Sequence, residues 1–537
     1  MGVNLVLYNG NIYTMDEARP RAQAVAIAGN RIAAVGTDEE MRALLAPGGE
    51  AVDLRGRTVV PGLTDCHVHF VEYALRLSRI DLAGATSKAE ALRRVAERAK
   101  RARPGEWLLG GGWDRNLWEG TRFPTRWDLD AVAPANPVAL DSKDVHVLWV
   151  NSLALELAGI SAHTPDPPGG EIERDEAGEP TGILKERAKE LVAAVIEPPS
   201  LEAIEAALKV AIEKAHRAGL VGIHDCEDER AFAAFQELLQ RGELGLRVLM
   251  HIPVENLEAA IRLGLRTGFG NEMLRLGGVK IFADGTLGSR TAAMLEPYEG
   301  EPENRGLVVT PKEEMWELVR RAKVAGLGVA IHAIGDRANR DVLDVLEAIR
   351  RDPSVYPFSK SVDRIEHVQL LHPDDIPRLA RLGVVASMQP LHCTSDMEMA
   401  RRHWGEGRCR WAYAWRSLLD AGTKLAFGSD CPVETFDPLA GIHAAVTRRR
   451  ADGSPGPEGW HPEERIGVEE AVRAYTLGAA YASGEEQIKG SISPGKLADL
   501  TVLSQDIFAI PPMAILETEV VATVLDGRFV YRRADLA

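Results

Sequence analysis

The sequence predicts an α/β protein: a (β/α)8, or TIM, barrel with a small β-sandwich domain built from both termini and an α+β insertion after the first barrel strand. Three observations predict it. Eight short apolar runs alternate with amphipathic stretches through the middle of the chain, both ends read as β hairpins, and the runs are spaced as successive βα units with one long interruption.

At the start, Leu5–Tyr8, Ile12–Met15, Ala24–Ala28 and Arg31–Val35 alternate with turns such as Gly29-Asn30. At the end, Asp499–Leu503 follows Pro494-Gly495, and Val520–Leu525 reaches Phe529–Tyr531 through Asp526-Gly527. Neither end has enough strands to bury both faces of a sheet, so residues 1–58 and 486–537 are expected to combine into one β domain.

The barrel is assigned to residues 59–79 and 201–485. Its strands are read at Val59–Cys66, Val221–Ile223, Arg247–Ile252, Gly278–Phe282, Gly328–His332, Arg364–Val368, Val384–Met388 and Leu425–Phe427. The stretch Leu201–Arg217 is predicted helical, with Ile204, Leu208, Ala211, Ile212 and Ala215 on one face, Ser200 as N-cap and Gly219 as stop. From His332 to His367 is 35 positions, one βα unit, and from His367 to Asp430 is 63, two units. From His69 to Lys280 is 211 positions where three units need only about 100, so an insertion is expected over residues 80–200.

Composition bounds the function. Hydrophobic residues make up 45% and charged residues 26%, which excludes disordered and collagen-like chains. The formal charge of −16 opposes nucleic acid and anionic membrane as partners. No apolar run approaches the roughly 18 residues of a membrane span, and the first residues lack a basic segment and cleavage site, so the cytoplasm is the expected location. Five cysteines without a C-x-x-C pair fit a reducing compartment.

Chemistry concentrates at predicted strand ends. His67 and His69, at i and i+2, present both imidazoles to one face of the first barrel strand. His332 and His367 each end a later strand. One such histidine is ordinarily a core residue, but four at strand ends are hard to explain as packing, and imidazole is the common ligand of borderline divalent metals. Asp430 closes the eighth strand, either as an N-cap for the next helix or as a metal ligand and proton shuttle. Lys280 lies in an apolar strand of a chain with only 14 lysines. It either pairs with Asp284 or is an amine able to add carbon dioxide and become a two-oxygen carbamate ligand. Five of the ten tryptophans, Trp107, Trp113, Trp118, Trp127 and Trp149, fall in the insertion. Most are expected in its core, while Trp113, Trp118 and His146 are candidates for walling a substrate pocket.

The set His67, His69, Lys280, His332, His367 and Asp430 resembles the binuclear ligand pattern of the amidohydrolase superfamily. Pro61 to His69 (PGLTDCHVH) and Pro494 to Leu500 (PGKLADL) extend the resemblance across essentially the whole chain. Gly112-Trp113-Asp114, His146–Leu153, Val279–Ala292 (VKIFADGTLGSRTA), His332–Arg337 (HAIGDR), Glu366–Gln369 and Gln389–His392 are similar to the N-substituted formamide deformylase-like branch, amidohydrolase family 3. The resemblance implies two divalent ions, zinc foremost, bridged by carboxylated Lys280. It also implies a metal-bridging hydroxide that cleaves a non-peptide amide C–N bond, catalytic Asp430 protonating the leaving amine, and a homodimer. The alternatives on the same barrel are an aminoheterocycle deaminase, which usually carries a Glu soon after the fifth-strand histidine where this chain has only Asp336, and a lactone or ester hydrolase. A non-enzymatic scaffold is disfavoured because all six ligand positions are filled, and a dinucleotide dehydrogenase because no G-x-G-x-x-G follows a strand.

Overall fold

The computed structural model describes residues 2–119, 122–143, 146–353, 355 and 361–536. The chain divides into two compact units, residues 1–73 with 208–537, and residues 74–207.

The first unit holds a sheet of eight parallel strands in sequence order: Leu63–Val68, Leu220–Asp225, Arg247–Pro253, Leu274–Phe282, Val329–Ala333, Arg364–His367, Val385–Met388 and Leu425–Phe427. All eight lie where the apolar runs predict them, and the intervening helices make the fold a TIM barrel. Backbone bonds from His69 N to Cys431 O and from Asp430 N to His67 O, both 2.8 Å, join the eighth strand's end to the first. The helix Leu201–Arg217 begins at Ser200, whose hydroxyl accepts from Ala203 N at 3.3 Å, and its five predicted apolar residues are all buried.

One expected strand is two. Thr58–Pro61 pairs with Leu500–Leu503 and Asn11–Tyr13, whereas Leu63–Val68 belongs to the barrel. Gly62 makes the transfer: its N–H donates to Asp499 O at 2.8 Å, and a Cβ there would stand 2.4 Å from the Val221 side chain. Strands from both ends thus form one six-stranded sheet, which shares an apolar cluster with a four-stranded sheet from residues 3–53. Leu7, Val25 and Val52 of the smaller sheet and Val59, Val502 and Val524 of the larger are fully or almost fully buried in that cluster.

The second unit is a mixed six-stranded sheet, in the order Gly170–Arg174, Pro180–Glu186, Val147–Val150, Val138–Ser142, Leu108–Trp113, Ile80–Asp81, with short helices. Trp113, Trp118 and Trp149 sit in its core with ring centroids 5.8 to 6.2 Å apart. Each indole N–H reaches a carbonyl, Leu140 O, Ala85 O and Thr125 O respectively. Burying an indole demands such an acceptor, and a short turn-rich unit gains its apolar core from these rings. Among the described residues no helix is long and apolar enough to cross a membrane.

Candidate active site

The C-terminal ends of the barrel strands surround a cavity of about 370 Å³. His67, His69, Lys280, His332, His367 and Asp430 all line it. Backbone geometry aims them. The two barrel-closing bonds fix Asp430 against His67 and His69, and Asp65 ties the same strands by accepting from His67 N (3.1 Å) and Ser429 N (3.0 Å). His367, Val368 and Asp430 adopt left-handed backbone, with φ of 76°, 45° and 60°. Non-glycine residues are rarely held there, and such strain clusters where a side chain must leave the direction its strand would give it.

His69 Nε2 lies 3.4 Å and His67 Nε2 3.7 Å from Asp430 Oδ1. The His367 ring stands 4.8 Å from that of His67 and 4.5 Å from that of His332, centroid to centroid. Two triplets, His67–His69–Asp430 and His367–His392–Asp430, each hold their ligand atoms within 4.8 Å of one another. Asp430 is common to both.

The second sphere sets tautomers. Fully buried Glu366 accepts from His67 Nδ1 at 2.6 Å and from Arg364 Nε at 2.5 Å and Nη2 at 3.1 Å. A carboxylate can only accept, so His67 carries its proton on Nδ1 and offers the Nε2 lone pair to the cavity. His332 Nε2 donates to Gly285 O at 3.0 Å, which leaves Nδ1 with the lone pair. His367 Nδ1 is bonded to Gln389 Oε1 at 2.9 Å. Burial, reinforced by Lys280, pushes the pKa of His67 down to about 4 and of His332 to about 3, so both rings are neutral at neutral pH. Burial acts to raise the Asp430 carboxyl, but the His69 hydrogen bond and the adjacent histidines outweigh it and hold it well below the carboxylate range.

Lys280 is 3% exposed and its Nζ has no hydrogen-bond partner among the described residues. The ion pair with Asp284 does not form. Asp284 instead accepts from the backbone N–H groups of Ala293, Ile334 and Gly335 at 2.8 to 3.0 Å. Nor does Asp430 cap the following helix; Asp437 does, accepting from Leu439 N. A buried amine without an acceptor, facing neutral imidazoles and one carboxylate, is a donor set that fits divalent metal.

Trp113 and Trp118 belong to the core of the second unit, and His146 is exposed there, 3.0 Å from Glu186 Oε1. Sequence reasoning passed over three residues of this neighbourhood as individuals. His392, in the first turn of the helix Pro390–Trp404, places Nε2 3.7 Å from Asp430 Oδ2. Glu366 and Arg364 precede His367 on its strand. The signal for both was present as alternate charged residues inside an apolar strand, Arg-Ile-Glu-His, which only a buried ion pair accommodates.

The comparisons agree with this geometry. Residues 50–531 match the profile described as "Amidohydrolase family". The N-substituted formamide deformylase of Arthrobacter pascens is 32% identical, over 99% of this chain and 98% of its own. The protein LONG AFTER FAR-RED 3 of Arabidopsis thaliana is 36% identical over 98% of this chain and 91% of its own. A crystal structure of an uncharacterized metal-dependent hydrolase from Pyrococcus furiosus superimposes with a TM-score of 0.79 at 32% identity, covering 94% of this chain and 99% of that one. The chain therefore belongs to the amidohydrolase family, as a metal-dependent hydrolase acting on carbon–nitrogen bonds.

Proposed function

We propose that the protein hydrolyses the C–N bond of an N-substituted formamide or a closely related non-peptide amide. The observation that carries this reading is the convergence of six donor groups from five barrel strands on one cavity, with the Lys280 amine buried among them and unpartnered. His67, His69, Lys280 as its carbamate, His332, His367 and Asp430 would hold two divalent ions, zinc foremost. Bound ions supply Lewis acidity toward the substrate carbonyl and lower the pKa of water toward about 7.

The chain's own groups supply orientation and proton transfer. Glu366 and the Gly285 carbonyl keep His67 and His332 in the tautomers that turn lone pairs inward. Asp430 is the proton carrier: it takes a proton from the attacking water and returns it to the departing nitrogen as the C–N bond breaks, leaving carboxylic acid and amine. Its place at the centre of both ligand triplets puts it beside any group bound there. Phe282, Leu287, Ile334 and Val433 give the cavity an apolar wall, and Phe282 and Val433 are 42% and 67% exposed. That wall favours an apolar N-substituent, in line with the name of the Arthrobacter relative.

The test is metal analysis combined with kcat/KM on N-benzylformamide and formamide. The reading expects bound divalent metal and preference for the benzyl compound. Equal specificity constants would remove the apolar-substituent assignment, and turnover confined to lactones or aminoheterocycles would remove the amide.

A further inference from the structure

A second, larger cavity of about 470 Å³ opens at the opposite, N-terminal end of the barrel strands. Its wall includes Arg266, Arg275, Lys323, Arg364, His251 and Ser483, with no acidic residue. Three of the cations are held from behind. Arg275 pairs with Glu485 at 3.0 Å, Lys323 with Asp363 at 2.8 Å, and Arg364 with Glu366. Arg266 is exposed at the rim and has no ion-pair partner among the described residues.

His251 supplies the independent sign of a ligand. It is 2% exposed, its ring lines the cavity, and its Nδ1 meets the Gly278 peptide, 3.2 Å from the N–H and 3.3 Å from the carbonyl oxygen. Nε2 is a buried ring nitrogen with no hydrogen-bond partner among the described residues. His224, whose ring centroid is 6.5 Å from that of His251, lies behind the wall with its Nδ1 2.8 Å from Arg364 Nη1. Glycines 268, 277, 278, 326 and 484 bring bare backbone to the same wall. Buried polar atoms are normally satisfied, so a cavity offering cations, bare backbone and an unpartnered imidazole nitrogen without a carboxylate is matched to a multiply charged oxyanion. Its volume exceeds what inorganic phosphate needs and suits a small organic phosphate.

We infer that this cavity is a ligand site separate from the hydrolytic centre, and that it takes a phosphoryl-bearing small molecule through Arg266, Arg275 and Lys323, beside the His251 ring. The experiment is calorimetric titration of the purified protein with inorganic phosphate, and with acetate as a singly charged comparison, on wild type, Arg266→Glu and Asp430→Asn. The site predicts saturable phosphate binding that survives Asp430→Asn within roughly twofold and weakens by roughly tenfold or more in Arg266→Glu, with acetate binding more weakly. Circular dichroism matching wild type shows that the rim variant is folded, as expected for an exposed side chain. Absence of saturable binding overturns the inference. So does phosphate binding that disappears in Asp430→Asn and is unchanged in Arg266→Glu, which places the anion at the hydrolytic end. Acetate as tight as phosphate overturns the phosphoryl assignment.

Discussion

Replacing Glu366 by glutamine changes almost no volume and one charge, and the structure fixes what that charge does. Glu366 is fully buried, and its oxygens face only donors: His67 Nδ1 at 2.6 Å and Arg364 Nε and Nη2 at 2.5 and 3.1 Å. Burial works to raise its carboxyl, and Arg364 and His67 overcome it, leaving the group well below the usual carboxylate range. The amide would turn an NH2 toward one of these donors and leave the Arg364 charge without its counter-ion. Breaking a buried pair this way costs roughly 3–5 kcal/mol. The second consequence is local: His67 loses the acceptor that keeps its proton on Nδ1, and groups of that kind change metal affinity or activity by roughly 10- to 100-fold. The assay is metal retention against a graded chelator series, with turnover and denaturant unfolding on the same samples. Ser387→Ala, which removes one Arg364 hydrogen bond of 2.7 Å, separates the two effects. It should lose roughly 1 kcal/mol with metal retention unchanged. A Glu366→Gln protein that keeps wild-type chelator resistance and turnover refutes the orienting role.

Lys280→Ala should lower metal content and cut amide turnover to less than roughly a hundredth, more than the loss from a group that merely orients a ligand; full content and turnover would contradict its place in the ligand set. His251, like His67 and His332, is folded in its neutral form, pushed down to about 3 by burial and by Arg364. The unfolded chain takes up these protons below about pH 6.5, so each histidine's contribution is flat above that pH and falls below it by about 1.4 kcal/mol per pH unit, opposed by buried Asp65, Asp225 and Asp284, whose carboxyls are pushed up to about 7. Guanidinium unfolding of chelator-treated wild type and His251→Gln isolates one histidine, and a stability difference between them that stays constant from about pH 7 to pH 5 would be the contrary result. Trp113→Ala should destabilise the second unit by roughly 3–5 kcal/mol. Faster amide exchange across residues 80–190 is the readout, and unchanged protection would place the ring outside the core.

Much of the site was legible because strand periodicity is local. His67 and His69 share a face whenever their strand forms, and His332, His367 and Asp430 end apolar runs that form strands wherever the barrel closes. His392 was not legible in that way. It lies on a helix, and its approach to Asp430 depends on how the seventh strand hands over to the helix Pro390–Trp404. Arg364 and Glu366 were visible as charges in an apolar strand, but their partners are His67, His224 and Ser387, on three other strands. The tryptophans show the converse: their crowding in one segment was plain, and their burial in the apolar cluster of the second unit places Trp113 and Trp118 in its core.

By itself the sequence determined the barrel, the joining of the chain ends in one sheet and the six converging donors, because alternation, turn residues and unit spacing act over a few neighbours at a time. Only the tertiary structure decided which nitrogen of His67 and of His332 is free, that Lys280 has no counter-ion among the described residues, and that Pro61-Gly62 divides one apolar run between two sheets. It also decided that Arg266, Arg275, Lys323 and the His251 ring line one cavity at the far end of the barrel. Those are properties of groups distant in sequence and within a few ångströms in space, and hydrogen bonding and desolvation are settled only at that range.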